Sequence, residues 1–389
     1  MSKGPIALIL GIRPDVIRAS IIIRELRNSL PKDFILIWSG QHYSENLKDV
    51  FFSELGVAAP DIELNIKGET DAELSASMIT ELSLALSRTN VSIAVFLGDT
   101  NTVLGTIAAA QLNIPIIHIE GCMRSYDWRM PEEKYRTIAD HLSDRIYAYL
   151  PDYKMQGLGE GIPDCNIVVT GNPIVDVLEE YFLSGKLRMP NDEFLRLLQE
   201  KYSTSINNYY VMTCHRRENV ESSEALKRII ELAASIDGPV LFPAGYRTQK
   251  MLALHQISLP KNIRAVDPVG YLELLELLVH SKGVLTDSGT VVEEACVLGV
   301  PSIQMRTATE RPEVYISLAS IKFDPHAKNS IENTLENFYS IQSTNWKHLF
   351  GDGTASYKIA QDLISCFKQQ KFSGHDPELR SKFSVRSFM

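Results

Sequence analysis

The 389-residue sequence lacks both a long apolar run and an excess of basic residues. Nowhere do about 18 apolar residues follow one another, which argues against a membrane-spanning helix. The formal net charge of -9 and the pI near 5.6 give no basic surface for nucleic acid or for an anionic membrane. The first apolar run, Ile6 to Leu10, has the length of a strand and is followed at once by Arg13, Pro14 and Asp15, so no secretory signal is expected.

Cysteine is scarce, and its spacing fits neither a disulfide framework nor a zinc site. The cysteines are odd in number, scattered and without a CxxC pair: Cys122, Cys165, Cys214, Cys296 and Cys366. This pattern predicts small buried thiols in a reduced, cytoplasmic protein. A GxGxxG fingerprint is also missing after the first strand, so the usual signal for a bound NAD is absent.

Short β-branched runs alternate with longer amphipathic stretches, which is the pattern of parallel sheets covered by helices. Hydrophobic residues make up 44% of the chain and charged residues 22%, so full cores can be buried. In the first half, strands are predicted over residues 6–10, 34–38, 93–97, 115–119, 145–149 and 167–170. In the second half, they are predicted over residues 209–213, 239–243, 263–266, 283–286, 301–305 and 321–323.

The chain length suits two domains of about 150–200 residues each. We predict an N-terminal domain over 1–180, a second domain over 181–355 and a C-terminal helix over 356–389. The boundary is expected between Gly171 and Asn208, because this region includes the segments 184–186, 189–192 and 203–208, which are poor core material. Two doubly wound, Rossmann-like domains in tandem carry their ligand sites at the carboxyl ends of the strands, facing a shared cleft. The predicted fold class is therefore α/β and GT-B-like.

Candidate site residues follow the predicted strands of the first half. Arg13 comes just after the first strand, where its guanidinium can reach a phosphate or can lie solvated on a turn. Asp99 follows the third strand and is either a helix cap or an acid–base group. Glu120 directly follows the apolar fourth strand, where a carboxylate is harder to explain as a solvated surface charge. Glu133 lies in the first turn of a predicted helix, where a favourable interaction with the helix dipole is the simpler interpretation.

Cationic residues gather after two strands of the second half. His215, Arg216 and Arg217 follow the strand 209–213, and Arg311 lies in a loop after the strand 301–305. A lone arginine is usually just exposed, but three cationic or titratable groups together in an acidic protein favour an anion site.

A turn of small residues, Ser288, Gly289 and Thr290, lies between a predicted strand and a predicted helix. The free N–H groups and the positive dipole end of such a helix can cradle a phosphate. Glu294, one helical turn further on, can accept hydrogen bonds from a ribose diol. This turn is the clearest nucleotide-binding signal in the sequence.

Eight motifs then occur in the order found in one family. Between about Leu8 and Glu313 the chain contains GIRPD, GDTNT, HIEGCMR, MPEEKYR, TGNPIVD, CHRREN, DSGTVVEEA and TERPE. In this set the sequence resembles the non-hydrolysing UDP-N-acetylglucosamine 2-epimerases, which interconvert UDP-GlcNAc and UDP-ManNAc. The resemblance implies a GT-B homodimer that binds a UDP-sugar and needs neither NAD nor an essential metal. It also implies that the last helix packs back on the first domain.

The mechanism implied by the resemblance removes the C2 proton as UDP leaves, which gives a bound 2-acetamidoglucal. UDP then adds back while a proton reaches the opposite face of C2, so acid–base groups are needed around one carbon. The implied catalytic residues are the carboxylates Asp99, Glu120 and Glu133, with His215 beside the diphosphate. The implied substrate-binding residues hold the phosphates and the ribose: Arg13, Arg136, Ser288, Gly289, Thr290, Glu294 and Arg311.

Departures from the family pattern widen the range of activities to consider. Where the family commonly has EAGLR, this chain has Gly121-Cys122-Met123 after Glu120, which alters the wall beside that carboxylate. The loop 124–129 resembles relatives that act on 6-deoxy or 2,3-diacetamido UDP-sugars. The sequence is also compatible with a hydrolysing epimerase or a GT-B glycosyltransferase, although a glycosyltransferase does not need three carboxylates.

The resemblance also carries an expectation about regulation. Many bacterial members need UDP-GlcNAc at a second site before UDP-ManNAc will react. Here Gln41 and His42 are kept, but Ser44 replaces a second Gln, the loop 66–71 has no Arg, and the segment 244–247 offers no His. An effector diphosphate would lose cationic support, so activation is predicted to be weak or absent.

Overall fold

The computed structural model describes three stretches of the chain, residues 4–40, 55–328 and 330–372. The chain divides into two compact units, which we call unit 1 (residues 1–177 and 351–389) and unit 2 (residues 178–350). Each unit is built on one parallel sheet with helices in the connections.

The sheet of unit 1 has, within the described residues, seven parallel strands in the order β3-β2-β1-β4-β5-β6-β7. The strands are β1 (Ile6–Leu10), β2 (Phe34–Trp38), β3 (Ile62–Glu63), β4 (Ile93–Leu97), β5 (Ile116–Ile119), β6 (Arg145–Ala148) and β7 (Ile167–Val169). Every residue of β1, β4 and β5 is buried. Burial on both faces explains why β1 and β4 are apolar throughout and why β5 is apolar except for His118.

The sheet of unit 2 has six parallel strands in the described part of the chain, in the order β10-β9-β8-β11-β12-β13. They are β8 (Tyr210–Thr213), β9 (Val240–Pro243), β10 (Ile263–Val266), β11 (Val284–Thr286), β12 (Ser302–Met305) and β13 (Ser320–Phe323). Aliphatic and aromatic side chains from these strands and their helices form one hydrophobic core.

Helices connect the strands in both units. The α-helices that the structure describes are α1 (Arg13–Ser29), α2 (Asp71–Thr89), α3 (Gly105–Gln111), α4 (Pro131–Leu142), α5 (Pro151–Gly159), α6 (Pro173–Val177), α7 (Asn191–Glu200), α8 (Arg217–Val220), α9 (Ser223–Ala234), α10 (Tyr246–Leu254), α11 (Tyr271–Val279), α12 (Gly289–Val297), α13 (Glu313–Ile316), α14 (Ile331–Ile341) and α15 (Ala355–Lys368). Short 3-10 turns span Asn101–Leu104 and Asp164–Asn166, and a π-helix spans Leu178–Leu183. No helix in the described stretches is long and apolar enough to cross a membrane.

Proline fixes where two helices begin at the carboxyl edge of the unit 1 sheet. Pro14 lies in the first turn of α1, and Pro131 is the first residue of α4. Proline is tolerated there because the first N–H groups of a helix have no intrahelical partner. As a result α1 begins directly after β1, and the first turn of α4 carries Glu133.

The C-terminal helix α15 belongs to unit 1, where it lies against α1. The carboxylate of Asp176 accepts hydrogen bonds from the N–H groups of Ala355, at 3.1 Å, and Ser356, which satisfies the start of the helix. Asp362 accepts two hydrogen bonds at 2.9 Å from Arg145 and one at 2.9 Å from the hydroxyl of Tyr147. These contacts hold α15 against α6, through Asp176, and against β6, through Asp362.

The strands predicted from the sequence are confirmed, and wherever a predicted strand end differs from the structure it differs by one residue. The edge strand β3 was not predicted, because it is only two residues long and includes a glutamate. Gln41, His42 and Ser44, on which part of the regulatory expectation depends, lie outside the described residues.

Candidate active site

The carboxyl ends of β1, β4 and β5 lie at one edge of the unit 1 sheet. β1 and β4 are neighbours in the sheet although β2 and β3 lie between them in the sequence. Open α/β sheets bind their ligands at such a switch point. Arg13 begins α1 after β1, Asp99 comes shortly after β4, and Glu120 directly follows β5. The fold therefore brings these three predicted site residues to the same edge.

The buried carboxylate of Glu120 is held by two donors on one oxygen. Arg18 of α1 forms a short ion pair with Oε2, and the hydroxyl of Tyr149 donates to the same atom at 3.0 Å. Together they offset the cost of burying a charged carboxylate. The backbone of Glu120 has a φ of 76°, a conformation that is costly for a residue with a side chain. Such strain is typical of functional positions.

A second buried acid, Asp15, lies beside this ion pair. Its Oδ2 accepts hydrogen bonds at 3.1 Å from the N–H groups of Gly11 and Ile12. Burial raises the pKa of Asp15 from 3.8 to about 7, and the charge of Glu120 also raises it, while the two N–H donors and Arg18 oppose the shift. Asp15 thus titrates near neutral pH at the end of β1.

Arg136 joins the other two predicted carboxylates. Its Nη1 donates to Oε2 of Glu133 at 2.6 Å, and its Nη2 forms a short ion pair with Oδ2 of Asp99. Arg136 and Glu133 are fully buried, whereas the side chain of Asp99 is 25% exposed. Of the two carboxylates, Asp99 is therefore the one open to a ligand from solvent.

Glu133 also anchors the loop that precedes its helix. Its carboxylate accepts hydrogen bonds from the N–H of Ser125, at 3.0 Å and 3.1 Å, from the hydroxyl of Ser125 at 3.1 Å, and from the N–H of Tyr126 at 2.9 Å. Tyr126 has a φ of 57°. The loop exposes two aromatic side chains, Tyr126 at 72% and Trp128 at 62%. Glu133 is thus more than a helix-start acid, because it fixes both this loop and Arg136.

A buried network ties the ends of β4 and β5 together. His118 lies between the carbonyl of Gly98, 2.8 Å from Nε2, and the carboxylate of Asp140, 2.7 Å from Nδ1. Asp140 also accepts hydrogen bonds from the N–H of Cys122 at 2.9 Å and from Arg124 at 2.7 Å. Burial alone would raise the pKa of Asp140, but His118 and Arg124 outweigh it and lower that pKa. The network fixes the backbone on both sides of the site.

Three contributors to this edge were not predicted from the sequence: Arg18, Tyr149 and Asp140. Arg18 stands alone among the apolar residues that follow Asp15 on α1 and is buried. A single arginine inside an apolar helix face was a usable signal, because arginine is almost never fully buried unless it is paired. Tyr149 and Asp140 gave no comparable signal, since each matches the ordinary pattern of its strand or helix.

The corresponding edge of unit 2 is organised around Asp287, at the end of β11. Its buried carboxylate accepts hydrogen bonds from the N–H groups of His215, at 3.0 Å and 3.1 Å, and Arg216, at 2.9 Å. It also accepts one from the side chain of Asn219 at 3.2 Å. The imidazole of His215 is 57% exposed, with Nδ1 3.4 Å from Oδ1 of Asp287. His215 therefore lies at the open edge, on a loop that Asp287 holds in place.

The turn predicted to bind phosphate leads into α12. Ser288 is the N-cap, and its Oγ accepts a hydrogen bond from the N–H of Val291 at 3.3 Å. A side-chain carbon at Gly289 would lie 2.9 Å from Oε1 of Glu310. A larger residue at position 289 would therefore require the carboxylate of Glu310 to move. Thr290 is the first residue of α12 that is partly exposed.

The two remaining predicted binding residues of unit 2 are buried. Glu294 lies one turn into α12 and is buried, and Arg311 is buried in a short ion pair with Glu293 of the same helix. Arg306 is likewise paired with Glu310 at 2.8 Å. The structure thus pairs Arg311 with a carboxylate of α12.

The sequence profile of the UDP-N-acetylglucosamine 2-epimerase family matches residues 24–364. The chain belongs to this family. A UDP-N-acetylglucosamine 2-epimerase of Methanocaldococcus jannaschii is 36% identical over 368 residues, which cover 92% of this chain and 98% of the relative. A crystal structure of M. jannaschii UDP-GlcNAc 2-epimerase in complex with UDP-GlcNAc and UDP is 35% identical, with a TM-score of 0.83 over 93% of this chain and 99% of that one.

The family also includes a relative with a different sugar in its name. The UDP-2,3-diacetamido-2,3-dideoxy-D-glucuronate 2-epimerase of Pseudomonas aeruginosa is 31% identical over 367 residues, which cover 92% of this chain and 99% of the relative. Membership of the family confirms the resemblance predicted from the eight motifs and makes the chain a carbohydrate epimerase. The two parallel sheets and the solved relatives confirm the α/β, GT-B-like fold class.

Proposed function

We propose that the protein is a non-hydrolysing UDP-GlcNAc 2-epimerase, which interconverts UDP-GlcNAc and UDP-ManNAc. The observation that carries this proposal is the pair of carboxylates at the unit 1 edge, Asp99 and Glu120, each held by its own arginine. Epimerisation at one carbon needs groups that remove a proton from one face and deliver one to the other. The M. jannaschii relative that binds UDP-GlcNAc and UDP supports the substrate assignment.

In the proposed reaction a carboxylate takes the proton from C2 of the sugar. The C2–H electrons form a C1=C2 double bond, and the C1–O electrons leave with UDP, which gives 2-acetamidoglucal. UDP then adds back to C1 while a carboxylic acid protonates C2 from the opposite face. We propose Asp99 and Glu120 for these proton transfers. Glu133 supports them through Arg136, given its buried contacts with that arginine and with Ser125.

The unit 2 edge is proposed to hold UDP. The N-terminus of α12 presents the positive end of the helix dipole to phosphate oxygens, and we propose that the turn of Ser288, Gly289 and Thr290 binds them; the N–H of Ser288 itself donates to Oγ1 of Thr286 at 3.0 Å. His215, exposed at the same edge, is proposed to donate to the diphosphate. Glu294 is proposed to accept hydrogen bonds from the ribose, and Arg13 to contact the leaving phosphates.

A second candidate function is the 2-epimerisation of a modified UDP-sugar. The exposed side chains of Tyr126 and Trp128, on the loop that Glu133 anchors, favour it, because they can contact substituents of the sugar ring. The P. aeruginosa relative gives the chemical class, a 2,3-diacetamido sugar. The two candidates differ in the substituents at C3 and C6 and share the chemistry at C2.

One experiment tests both candidates. The protein is incubated in D2O with UDP-GlcNAc, and in parallel with 6-deoxy and 2,3-diacetamido analogues, and C2 is followed by NMR. The proposal expects deuterium at C2 in both epimers, with the sugar still attached to UDP. Free ManNAc as the main product would indicate a hydrolysing enzyme. Turnover of an analogue without turnover of UDP-GlcNAc would establish the second candidate.

We further propose that the protein is a cytoplasmic homodimer. Free cysteine thiols support a reducing compartment: Cys122, Cys214, Cys296 and Cys366 are buried and Cys165 is exposed. Size-exclusion chromatography with light scattering tests the dimer, and a mass of one chain would contradict it.

A further inference from the structure

Two buried tyrosines on β6 and just beyond it donate to carboxylates in different places. Tyr147 and Tyr149 are two residues apart, a spacing that puts both side chains on the same face of the sheet. The hydroxyl of Tyr147 donates to Asp362 of α15 at 2.9 Å, and that of Tyr149 donates to Glu120 at 3.0 Å. The first contact fastens a helix, whereas the second reaches the reactive edge.

The hydroxyl of Tyr149 is held by a rigid backbone. The carbonyl of Tyr149 accepts a hydrogen bond from the N–H of Gly171 at 3.1 Å, which fixes it to the end of β7. The carbonyl of Tyr147 accepts from the N–H groups of Glu120, at 3.1 Å, and Gly121, at 3.3 Å. The end of β6 thus sets both the turn that carries Glu120 and the donor that meets its side chain.

Charged and hydrogen-bonding groups face Glu120 from at least two elements of the described chain. Arg18 and Asp15 face it from α1, and Tyr149 faces it from the end of β6. Arg18 and Tyr149 both bond to Oε2, so the plane of the carboxylate is determined by two donors that approach from different elements. A charged carboxylate held by two donors cannot rotate away without losing one of them.

We propose that Tyr149 is a positioning residue for the epimerisation: its hydroxyl donates a hydrogen bond to Oε2 of Glu120 and so fixes the carboxylate that exchanges a proton with C2. This inference rests on the proposed function. Tyr149 itself gains and loses no proton. In the forward step the C2 proton moves to Glu120, the C2–H electrons form the C1=C2 bond, and UDP leaves with the C1–O electrons.

The chain offers a matched control for the test. Tyr149→Phe and Tyr147→Phe each remove one hydroxyl, from equally buried tyrosines, and each deletes one hydrogen bond to a carboxylate. We expect Tyr149→Phe to lower kcat about tenfold to hundredfold, the effect of losing a hydrogen bond to a charged group. The affinity for UDP should not change, because Tyr149 is not among the residues proposed to contact UDP. Tyr147→Phe should change thermal stability and leave kcat unaltered.

A pH profile separates positioning from a loss of stability. Loss of one donor should move the acid limb of kcat/KM upward by about one pH unit in Tyr149→Phe only, since hydrogen bonds to the charged form favour it. Because Asp15 titrates near neutral pH beside Glu120, the profiles are repeated in an Asp15→Asn background. The shift should persist there.

A double-mutant cycle completes the experiment. If Tyr149 acts through Glu120, then Tyr149→Phe should have no further effect on the residual kcat of Glu120→Gln. Equal kinetics of Tyr149→Phe and Tyr147→Phe, or additive effects in the cycle, would overturn the inference about Tyr149. The proposed function would still stand if the wild-type enzyme were active. A wild-type enzyme that fails to exchange the C2 proton would overturn both.

Discussion

The titration of Asp15 should make the stability of unit 1 depend on pH in a way that one substitution removes. The carboxyl group is buried at the end of β1, with a pKa raised from 3.8 to about 7 mainly by burial. In Asp15→Asn the side-chain oxygen can still accept hydrogen bonds from Gly11 and Ile12, but the site no longer titrates. The comparison of wild type with Asp15→Asn therefore isolates the pH dependence of stability that comes from this one carboxyl group.

The sign follows from the direction of the shift. Between the unfolded and the folded pKa, the folded state keeps a proton that the unfolded state has released, so stability falls as pH rises. The contribution of Asp15 is fully present below pH 3.8 and is lost as pH rises through about 7. At about 1.4 kcal/mol per pKa unit, the wild type should lose on the order of 2–3 kcal/mol relative to Asp15→Asn between pH 5 and pH 8.

Amide hydrogen exchange measured by mass spectrometry on peptides that contain β1 is the assay. Wild type and Asp15→Asn are compared at each pH, so the intrinsic exchange rates cancel. Asp144→Asn is the control, because Asp144 also accepts a backbone hydrogen bond, from Ile116 at 2.9 Å, but is only partly buried. If the protection of wild type and Asp15→Asn changed in parallel from pH 5 to pH 8, the raised pKa of Asp15 would be refuted.

Three further predictions concern catalysis and binding. Asp99→Asn and Glu120→Gln should each lower kcat about 10²–10⁴-fold with little change in UDP affinity, as measured by steady-state kinetics and calorimetry. Glu133→Gln should also lower kcat, and a nearly normal kcat would limit Glu133 to anchoring its loop. Arg13→Ala and Gly289→Val should weaken UDP binding by about 1.5–3 kcal/mol per lost charge-assisted contact and release free UDP and 2-acetamidoglucal. Unchanged UDP affinity in Arg13→Ala would show that Arg13 does not contact the diphosphate. Because activation by UDP-GlcNAc is predicted to be weak or absent, pure UDP-ManNAc should be consumed from the first seconds. A long lag that a trace of UDP-GlcNAc abolishes would contradict this prediction.

The strands were predictable because burial on both faces leaves a plain signal in the sequence. The run Ile6–Leu10 is apolar throughout since no residue of β1 faces solvent. The same physics explains why β3 was missed, because Ile62 and Glu63 are a two-residue edge strand that is not buried. The candidate carboxylates were predictable in position, since the end of a strand can be located from the end of its apolar run.

What the sequence could not give was the partner of each charged group. Glu132 and Glu133 are adjacent in the first turn of α4, and the helix-dipole argument applies to both, yet only Glu133 is buried against Arg136 and the loop N–H groups. The pairing depends on which face of α4 meets the sheet. It also depends on the left-handed turn at Tyr126, and neither is encoded in a short motif.

The arginines of unit 2 show how partners change a prediction about binding. In the sequence Arg306 and Arg311 both follow β12, and two cationic side chains there favour an anion site. In the structure both are buried in ion pairs, with Glu310 and Glu293. An arginine neutralised in this way gives a phosphate little net attraction, because its carboxylate partner repels the same charge. The anion affinity proposed for this edge therefore rests on the N-terminus of α12 and on His215, and the ion pair of Arg311 with Glu293 joins the loop after β12 to that helix.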